Sequence, residues 1–132
     1  IKDSSGDWTN TRALLKIDGL IVYPGSELPL LEALELGSPG CISATANTNC
    51  AAISQVIDLF DRGEHDAARE LHATVAQFRK VVQEYAPIPA QKRLLAASTG
   101  DPRWVRVRPP LTAMSEEKGR ELTAKLVAIR ES

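Results

Sequence analysis

The sequence is poor in cysteine, and this scarcity excludes two classes of small protein. Only 2 of its 132 residues are cysteines. Cys41 and Cys50 are too few for a disulfide framework, and they lack the paired spacing of zinc ligands. The sequence therefore predicts a protein of the reducing cytoplasm without a structural zinc site.

An excess of charge of either sign is absent as well. Lys and Arg number 16 against 17 Asp and Glu, which gives a net charge of -1. Nucleic-acid binders and polybasic membrane-surface proteins need surplus Lys and Arg to neutralise phosphates. The longest apolar runs, residues 20–23 and the interrupted run 28–36, are far shorter than the roughly 20 residues that cross a bilayer. The sequence therefore predicts neither a nucleic-acid partner nor a membrane partner.

Short β-branched runs alternate with segments of helical spacing through residues 1–63, a pattern typical of βα units with a parallel sheet. We predict three such units. Their strands lie at residues 1–3, 20–23 and 41–44, and their helices run from the cap Asp7 to Lys16, over 28–36, and, after a loop at 45–49, to Gly63. The run at 20–23 is apolar throughout, which indicates a strand buried on both faces.

Beyond Gly63 the pattern is helical, so we divide the chain into a βα part, residues 1–63, and a C-terminal helical region, residues 64–132. Apolar residues three and four apart predict a helix over 64–84. The remaining predicted segments are a helix over 89–98, an extended segment over 104–110 and a helix over 115–130 capped by Ser115.

Three parallel strands with helices outside them form an arc whose two edges need partners. A (β/α)8 TIM barrel has about 250 residues, so the pattern fits its last three units, about strands 6–8, followed by a helical region. Five units would then be missing from the N-terminal side. The first residue is Ile1 and not Met, which also indicates a fragment. An open α/β sheet is the alternative on pattern alone.

In both folds, ligands bind at the carboxyl ends of the strands. Lys2 lies at the end of the first strand. A lysine that points into a barrel is costly to bury as a cation, so its free amine becomes available to attack a carbonyl. From spacing alone the more common alternative is a solvated lysine near a chain end.

The second and third strands also end in residues suited to binding. Gly25 lets main-chain N–H groups approach a ligand, and Ser26 and Glu27 add a hydroxyl and a carboxylate. Neutral polar side chains follow the third strand at Ser43, Thr45, Asn47 and Asn49. Tight turns and helix caps are the alternative explanation of both segments. His65 and His72 have no Cys or acidic partner at ligand spacing, so we interpret both as solvated.

Five blocks of the sequence form a recognisable set. They are residues 1–7 (IKDSSGD), 23–27 (YPGSE), 40–47 (GCISATAN), 87–92 (PIPAQK) and 108–111 (RPPL). In order and spacing they resemble the C-terminal half of the dihydrodipicolinate synthase and N-acetylneuraminate lyase family of class I Schiff-base aldolases. The resemblance runs nearly end to end, and Lys2 occupies the position of the family's imine-forming lysine.

The resemblance implies a lyase without cofactor or metal. Lys2 would condense with pyruvate or another 2-oxo acid, and the protonated imine would act as the electron sink for making or breaking the bond to C3 or for eliminating water. The residues that the resemblance places around the substrate are Gly25, Ser26, Glu27, Ile42 and Ser43. The family's proton-shuttling tyrosine and carboxylate-binding turn lie in the N-terminal half, so we expect this chain alone to be inactive. Family members commonly form tetramers, and we expect a homotetramer.

Departures from the family bear on the substrate. Sialic-acid lyases carry Asp and Glu where this chain has Glu27 and Leu28, and Ser where it has Ala44, so a nine-carbon sugar acid fits poorly. The lysine-biosynthetic synthases usually have G-[DE]-[DE] at residues 25–27, which leaves that reaction open. The alternative from another class is a noncatalytic half-barrel module that binds a partner, or itself, through its open edge.

Overall fold

The computed structural model describes residues 1–130. Its elements are β1 (Lys2–Asp3), α1 (Trp8–Leu15), β2 (Tyr23–Pro24), α2 (Leu30–Glu35), α3 (Ala46–Asp61), α4 (His65–Gln83), α5 (Pro87–Thr99), a 3-10 helix (Pro102–Val105) and α6 (Glu116–Arg130). The chain divides into two compact units, Ile1–Ala76 and Gln77–Ser132, so α4 supplies residues to both. Within residues 1–130, no helix is long and apolar enough to span a bilayer.

The first unit contains a parallel pair of strands, β1 and β2, connected by α1. The Cα partners are Lys2 with Tyr23 and Asp3 with Pro24. The Tyr23 N–H donates to the Ile1 carbonyl at 2.8 Å, and the Gly25 N–H donates to the Asp3 carbonyl at 2.6 Å. This arrangement is the βα unit that the sequence predicted, but regular pairing begins only at Tyr23, later than the predicted strand at 20–23.

The segment at 41–44, predicted as the third strand, forms no regular strand within the described residues. It contacts β2 through a main-chain hydrogen bond from the Ile42 N–H to the Pro24 carbonyl, at 3.0 Å. The Ser38 hydroxyl donates to the Val22 carbonyl at 2.7 Å, and so occupies an acceptor that a third strand would use. The strand prediction is therefore wrong, although the segment lies beside β2 as the prediction required.

Side chains close in sequence determine where α1 and α2 begin. The Asp7 carboxylate accepts from the Thr9 N–H at 2.9 Å, which confirms Asp7 as the N-cap of α1. The Ser26 hydroxyl accepts from the Leu28 N–H at 3.1 Å and holds that residue in the preceding turn. Consequently α2 begins at Leu30, two residues later than predicted.

Helix α3 begins at Ala46, so the loop predicted at 45–49 is wrong. The first turn is nevertheless irregular, because Asn49 has φ −141° and ψ 27°, which makes a kink. The N–H groups of Thr48 and Asn49 both donate to the Thr45 carbonyl, at 3.0 and 2.9 Å. The polar residues that indicated a loop therefore build a distorted first turn.

An apolar core from α2, α3 and α4 holds the first unit together. Its buried members are Leu30, Leu34, Ile53, Val56 and Val75. Burying a side chain of this kind stabilises the fold by about 1.5–3 kcal/mol. Val22, directly before β2, is only 1% exposed. Helical packing therefore covers this side of the β2 segment.

The second unit contains α5, the 3-10 helix and α6, and it has its own apolar core. Its buried members are Phe78, Val81, Val82, Ala90, Met114, Leu122 and Leu126. Helix α5 begins at Pro87, two residues earlier than predicted, because the fixed φ of proline suits the first helical position. Helix α6 begins at Glu116, and the Ser115 hydroxyl accepts from the Lys118 N–H at 3.3 Å, as expected of the predicted cap.

The extended segment predicted at 104–110 is wrong at its start, because Trp104 lies in the 3-10 helix Pro102–Val105. The Asp101 carboxylate accepts from the Arg103 N–H at 2.9 Å and caps this helix. Proline at the first position favours the same turn. A cap and a proline thus outweigh the β-branched pattern that indicated an extended chain.

Candidate active site

Lys2 lies on an open face at the end of β1. Paired residues of parallel strands share a face, so Tyr23 lies on the same side as Lys2. Side chains alternate along an extended chain, and Ile21 is 62% exposed while Val22 is 1% exposed. The expectation that residues 20–23 are buried on both faces is therefore wrong, because the packing of the first unit covers only the Val22 side. Lys2 itself is exposed on this open face.

Asp3 faces the opposite way from Lys2 and ties β1 to α1. It is 9% exposed, and its carboxylate accepts from the Thr11 hydroxyl at 2.5 Å. The Ser5 N–H and the Ser5 hydroxyl donate to it at 3.0 and 3.1 Å. The hydrogen bond from Thr11, followed by that from the Ser5 N–H, lowers the pKa of Asp3 to about 2. The position of Lys2 along β1 is therefore held by an ionised neighbour.

We expect Asp3 to make the stability of the protein depend on pH in the acid range. Its pKa falls from 3.8 to about 2 on folding, so its contribution is fully present above about pH 4 and is lost as the pH falls towards 2. A shift of this size corresponds to about 2 kcal/mol. Urea unfolding at several pH values measures the free energy of unfolding. The difference in this free energy between the wild type and Asp3→Asn should shrink by that amount between pH 5 and pH 2.

Asp61→Asn is the control for the change in net charge, because Asp61 is an exposed carboxylate at the end of α3. Its stability should run parallel to that of the wild type over the same pH range. If the free energies of unfolding of the wild type and Asp3→Asn differ by a constant amount from pH 5 to pH 2, the role given to the ionised Asp3 is contradicted.

The turn after β2 approaches β1 closely at Gly25. A Cβ atom on Gly25 would lie 2.7 Å from Ser4 Oγ, 2.9 Å from the Asp3 carbonyl oxygen and 3.0 Å from Ser4 Cα. The Gly25 N–H already donates to the Asp3 carbonyl. Glycine is thus required here for the approach of β1, and its own N–H does not face a ligand. The Ser26 hydroxyl accepts from the Leu28 N–H in the same turn.

Glu27 lies at the centre of a buried polar cluster. Its side chain is fully buried, and the hydroxyls of Ser43 and Thr45 both donate to its carboxylate. These two hydroxyl oxygens lie 2.9 Å apart. His72 Nε2, on α4, donates to the main-chain carbonyl of Glu27 at 2.8 Å. The cluster joins the turn after β2, the segment after Ile42 and helix α4.

The structure brings the predicted site residues into two groups. Lys2 and Ile42 are exposed, whereas Glu27 and Ser43 are buried and bonded to each other. The interpretation of His72 as solvated is wrong, because it is half-buried against the Glu27 carbonyl. The sequence carries no local signal for this contact, since 45 residues separate the two partners.

His65 is exposed, and its ring contacts Phe60 edge-on with the ring centroids 5.0 Å apart. Within the part of the chain that the structure describes, no three His, Cys, Asp or Glu side chains are grouped as metal ligands.

Comparison with known proteins gives a consistent result. The model of the dihydrodipicolinate synthetase family matches residues 1–129. The 4-hydroxy-tetrahydrodipicolinate synthase of Psychrobacter arcticus is 32% identical over 130 residues, which cover 96% of this chain and 42% of that protein. The enzyme of the same name from Thioalkalivibrio sulfidiphilus is 34% identical over 122 residues, 88% of this chain and 40% of that protein. The chain thus spans less than half the length of these relatives.

Solved structures are similar over the same extent. Dihydrodipicolinate synthase from Agrobacterium tumefaciens has a TM-score of 0.69 and 28% identity, with 97% of this chain and 42% of that chain covered. The 2-keto-3-deoxygluconate aldolase of Sulfolobus solfataricus has a TM-score of 0.86 over 98% of this chain and 44% of that chain, and its 19% identity makes this a likeness of fold alone. These neighbours are TIM barrels, so the predicted fold class is confirmed to that extent, without the numbering of the strands.

Proposed function

The chain belongs to the dihydrodipicolinate synthetase family, and on that basis we propose that Lys2 forms a Schiff base with pyruvate or another 2-oxo acid. The observation that carries the proposal is the placement of Lys2. It is exposed in the two-residue strand β1, directly before Asp3 at the carboxyl end, whose carbonyl accepts from Gly25 in the turn after the neighbouring strand. Carboxyl ends of parallel strands are where barrels of this kind place their reactive groups.

The proposed reaction begins when the unprotonated amine of Lys2 adds to the 2-oxo carbon. Loss of water then leaves a protonated imine. This cation accepts the electron pair released when the proton shuttle of the N-terminal part takes a proton from C3, or when the bond from C3 to C4 breaks and C4 leaves as an aldehyde. Both steps give an enamine. The enamine can attack an aldehyde, or expel a hydroxyl group that the shuttle protonates to water, so one intermediate serves condensation, cleavage and dehydration. Water then hydrolyses the imine and frees Lys2.

The residues around Lys2 form the wall of the proposed substrate pocket. Gly25 lets the turn after β2 approach β1 closely, because any side chain would meet Ser4 and the Asp3 carbonyl. Ser26 lies in the turn after β2 and the exposed Ile42 lies in the segment beside β2, and the buried bond between Glu27 and Ser43 joins these two segments. Ile42 is connected to β2 through the Pro24 carbonyl.

We further propose that the working site includes the N-terminal part of the barrel. The match with the Psychrobacter arcticus synthase extends over 96% of this chain but over only 42% of that synthase. We call this chain together with that N-terminal part the completed barrel, and we expect this chain alone to be inactive. The completed barrel is proposed to act as a homotetramer in the cytoplasm.

Borohydride trapping tests the proposed Schiff base. The completed barrel is incubated with pyruvate, reduced with borohydride and digested, and the peptides are mapped by mass. We expect a pyruvate-derived mass on the peptide that contains Lys2, and none when pyruvate is omitted.

An adduct on a different lysine, or none with pyruvate and a panel of longer 2-oxo acids, would overturn the proposal. The noncatalytic half-barrel module would then be the better explanation. In that case, a stable dimer of this chain in light scattering would support binding through the open sheet edge.

A further inference from the structure

We propose that Glu27 is a positioning residue that joins the turn after β2 to the segment 43–45 and so fixes the wall beside Lys2. Its catalytic consequence rests on the proposed Schiff-base function, whereas the structural link does not. The family resemblance placed Glu27 around the substrate without a specific role. The structure supplies one, because the carboxylate is bonded to hydroxyls of this chain.

Burial makes the cluster a structural link. Glu27 is fully buried, and Ser43 and Thr45 are 8% and 2% exposed. A carboxylate removed from water is costly unless donors satisfy it. Each hydroxyl has one proton, and both hydroxyls direct it at the same carboxylate. The carboxylate thus accepts from both hydroxyls, whose oxygens also lie within hydrogen-bond distance of each other, at 2.9 Å.

Two main-chain hydrogen bonds connect the Glu27 cluster to the pair of strands that contains Lys2. Gly25, two residues before Glu27, donates to the carbonyl of Asp3, the residue after Lys2. Ile42, the residue before Ser43, donates to the Pro24 carbonyl. The side-chain bonds of Glu27 thus complete a loop of contacts from β1 through the turn to the exposed Ile42.

The main chain of Glu27 is anchored independently of its carboxylate. Its carbonyl accepts from His72 Nε2 on α4, at 2.8 Å. Removing only the side-chain charge should therefore leave the turn attached to α4 and release the segment 43–45. Glu27→Gln is the appropriate change, because the amide keeps the shape of the side chain and one carbonyl acceptor.

The experiment compares wild type, Glu27→Gln, Ser43→Ala and the double variant as completed barrels. Two quantities are measured: the dependence of the borohydride-trapping rate on pyruvate concentration, and hydrogen exchange of the peptide 40–46. We expect each single variant to raise the half-saturating pyruvate concentration about tenfold, as for the loss of one buried hydrogen bond, with little change in the maximal rate. The double variant should be no worse than Glu27→Gln, because both changes break one link. Exchange of the peptide 40–46 should be faster in all three.

The matched control is Glu32→Gln, which removes a carboxylate from an exposed position of α2. It should leave both measurements at wild-type values. If Glu27→Gln does not fold, Ser43→Ala carries the test, because it breaks the same link from the other side.

Two results would overturn the inference. Unchanged exchange in the peptide 40–46 of Glu27→Gln and Ser43→Ala would show that the link does not hold the segment. Effects on trapping that add fully in the double variant would show that Glu27 touches the substrate directly. Failure of the wild type to trap any 2-oxo acid would instead remove the proposed function, and the exchange data would still decide the link.

Discussion

Replacing Lys2 with arginine is expected to abolish the pyruvate adduct and to lower turnover by the completed barrel at least about a thousandfold. Arginine keeps the positive charge, but its guanidinium stays protonated and cannot offer an electron pair to a carbonyl carbon. Lys2 is exposed at the end of β1, so the change removes no buried contact. Borohydride trapping measures the adduct, and a turnover assay measures the activity. Circular dichroism on the same preparation checks that the fold is unchanged.

Lys16→Arg is the matched control, because Lys16 is an exposed lysine directly after α1 and outside the proposed pocket. It should trap pyruvate at the wild-type rate. An adduct that persists in Lys2→Arg would place the Schiff base on another lysine. Loss of the adduct together with loss of helical circular dichroism would give Lys2 a structural role in place of a catalytic one.

The helices could be predicted because their signals are local. Asp7 and Ser115 cap the helices that follow them, because their side-chain oxygens accept from N–H groups two and three residues further along the chain. The apolar spacing over 64–84 matches α4, whose residues serve the cores of both units. At α2 the predicted start was wrong because the Leu28 N–H donates to the Ser26 hydroxyl in the preceding turn, and at α5 because a proline allowed an earlier start.

The third strand could not be predicted correctly, because strand pairing depends on partners distant in sequence. The segment 41–44 is rich enough in apolar and β-branched residues to read as a strand. The carbonyl of Val22, directly before the neighbouring strand β2, is however bonded to the Ser38 hydroxyl, 16 residues away. The contacts of the candidate site could not be predicted either, because they join segments that no periodicity connects. They are the hydrogen bonds of Glu27 with Ser43, Thr45 and His72.

Gly25→Ala should lower the rate of pyruvate trapping by about a hundredfold, since a misplacement of about 1 Å at a reacting group has an effect of this order. The new Cβ would lie 2.9 Å from the Asp3 carbonyl oxygen and 3.0 Å from Ser4 Cα. Both atoms belong to the main chain directly after Lys2, so β1 must shift to accommodate them. The trapping rate at saturating pyruvate measures the displacement of Lys2, and urea unfolding measures the accompanying strain.

Gly119→Ala is the matched control, because its Cβ would meet an equally close neighbour of a different kind. That atom is Arg93 Cγ, at 2.7 Å, in a side chain whose guanidinium donates to the Met114 carbonyl. Gly119 lies within α6, where alanine favours the helix by about 1 kcal/mol over glycine, which offsets part of the cost of moving Arg93. The change leaves the main chain beside Lys2 untouched, so trapping should stay at the wild-type rate. If Gly25→Ala also traps pyruvate at the wild-type rate, the close approach of the turn to β1 does not position Lys2, and the requirement for glycine there is one of folding alone.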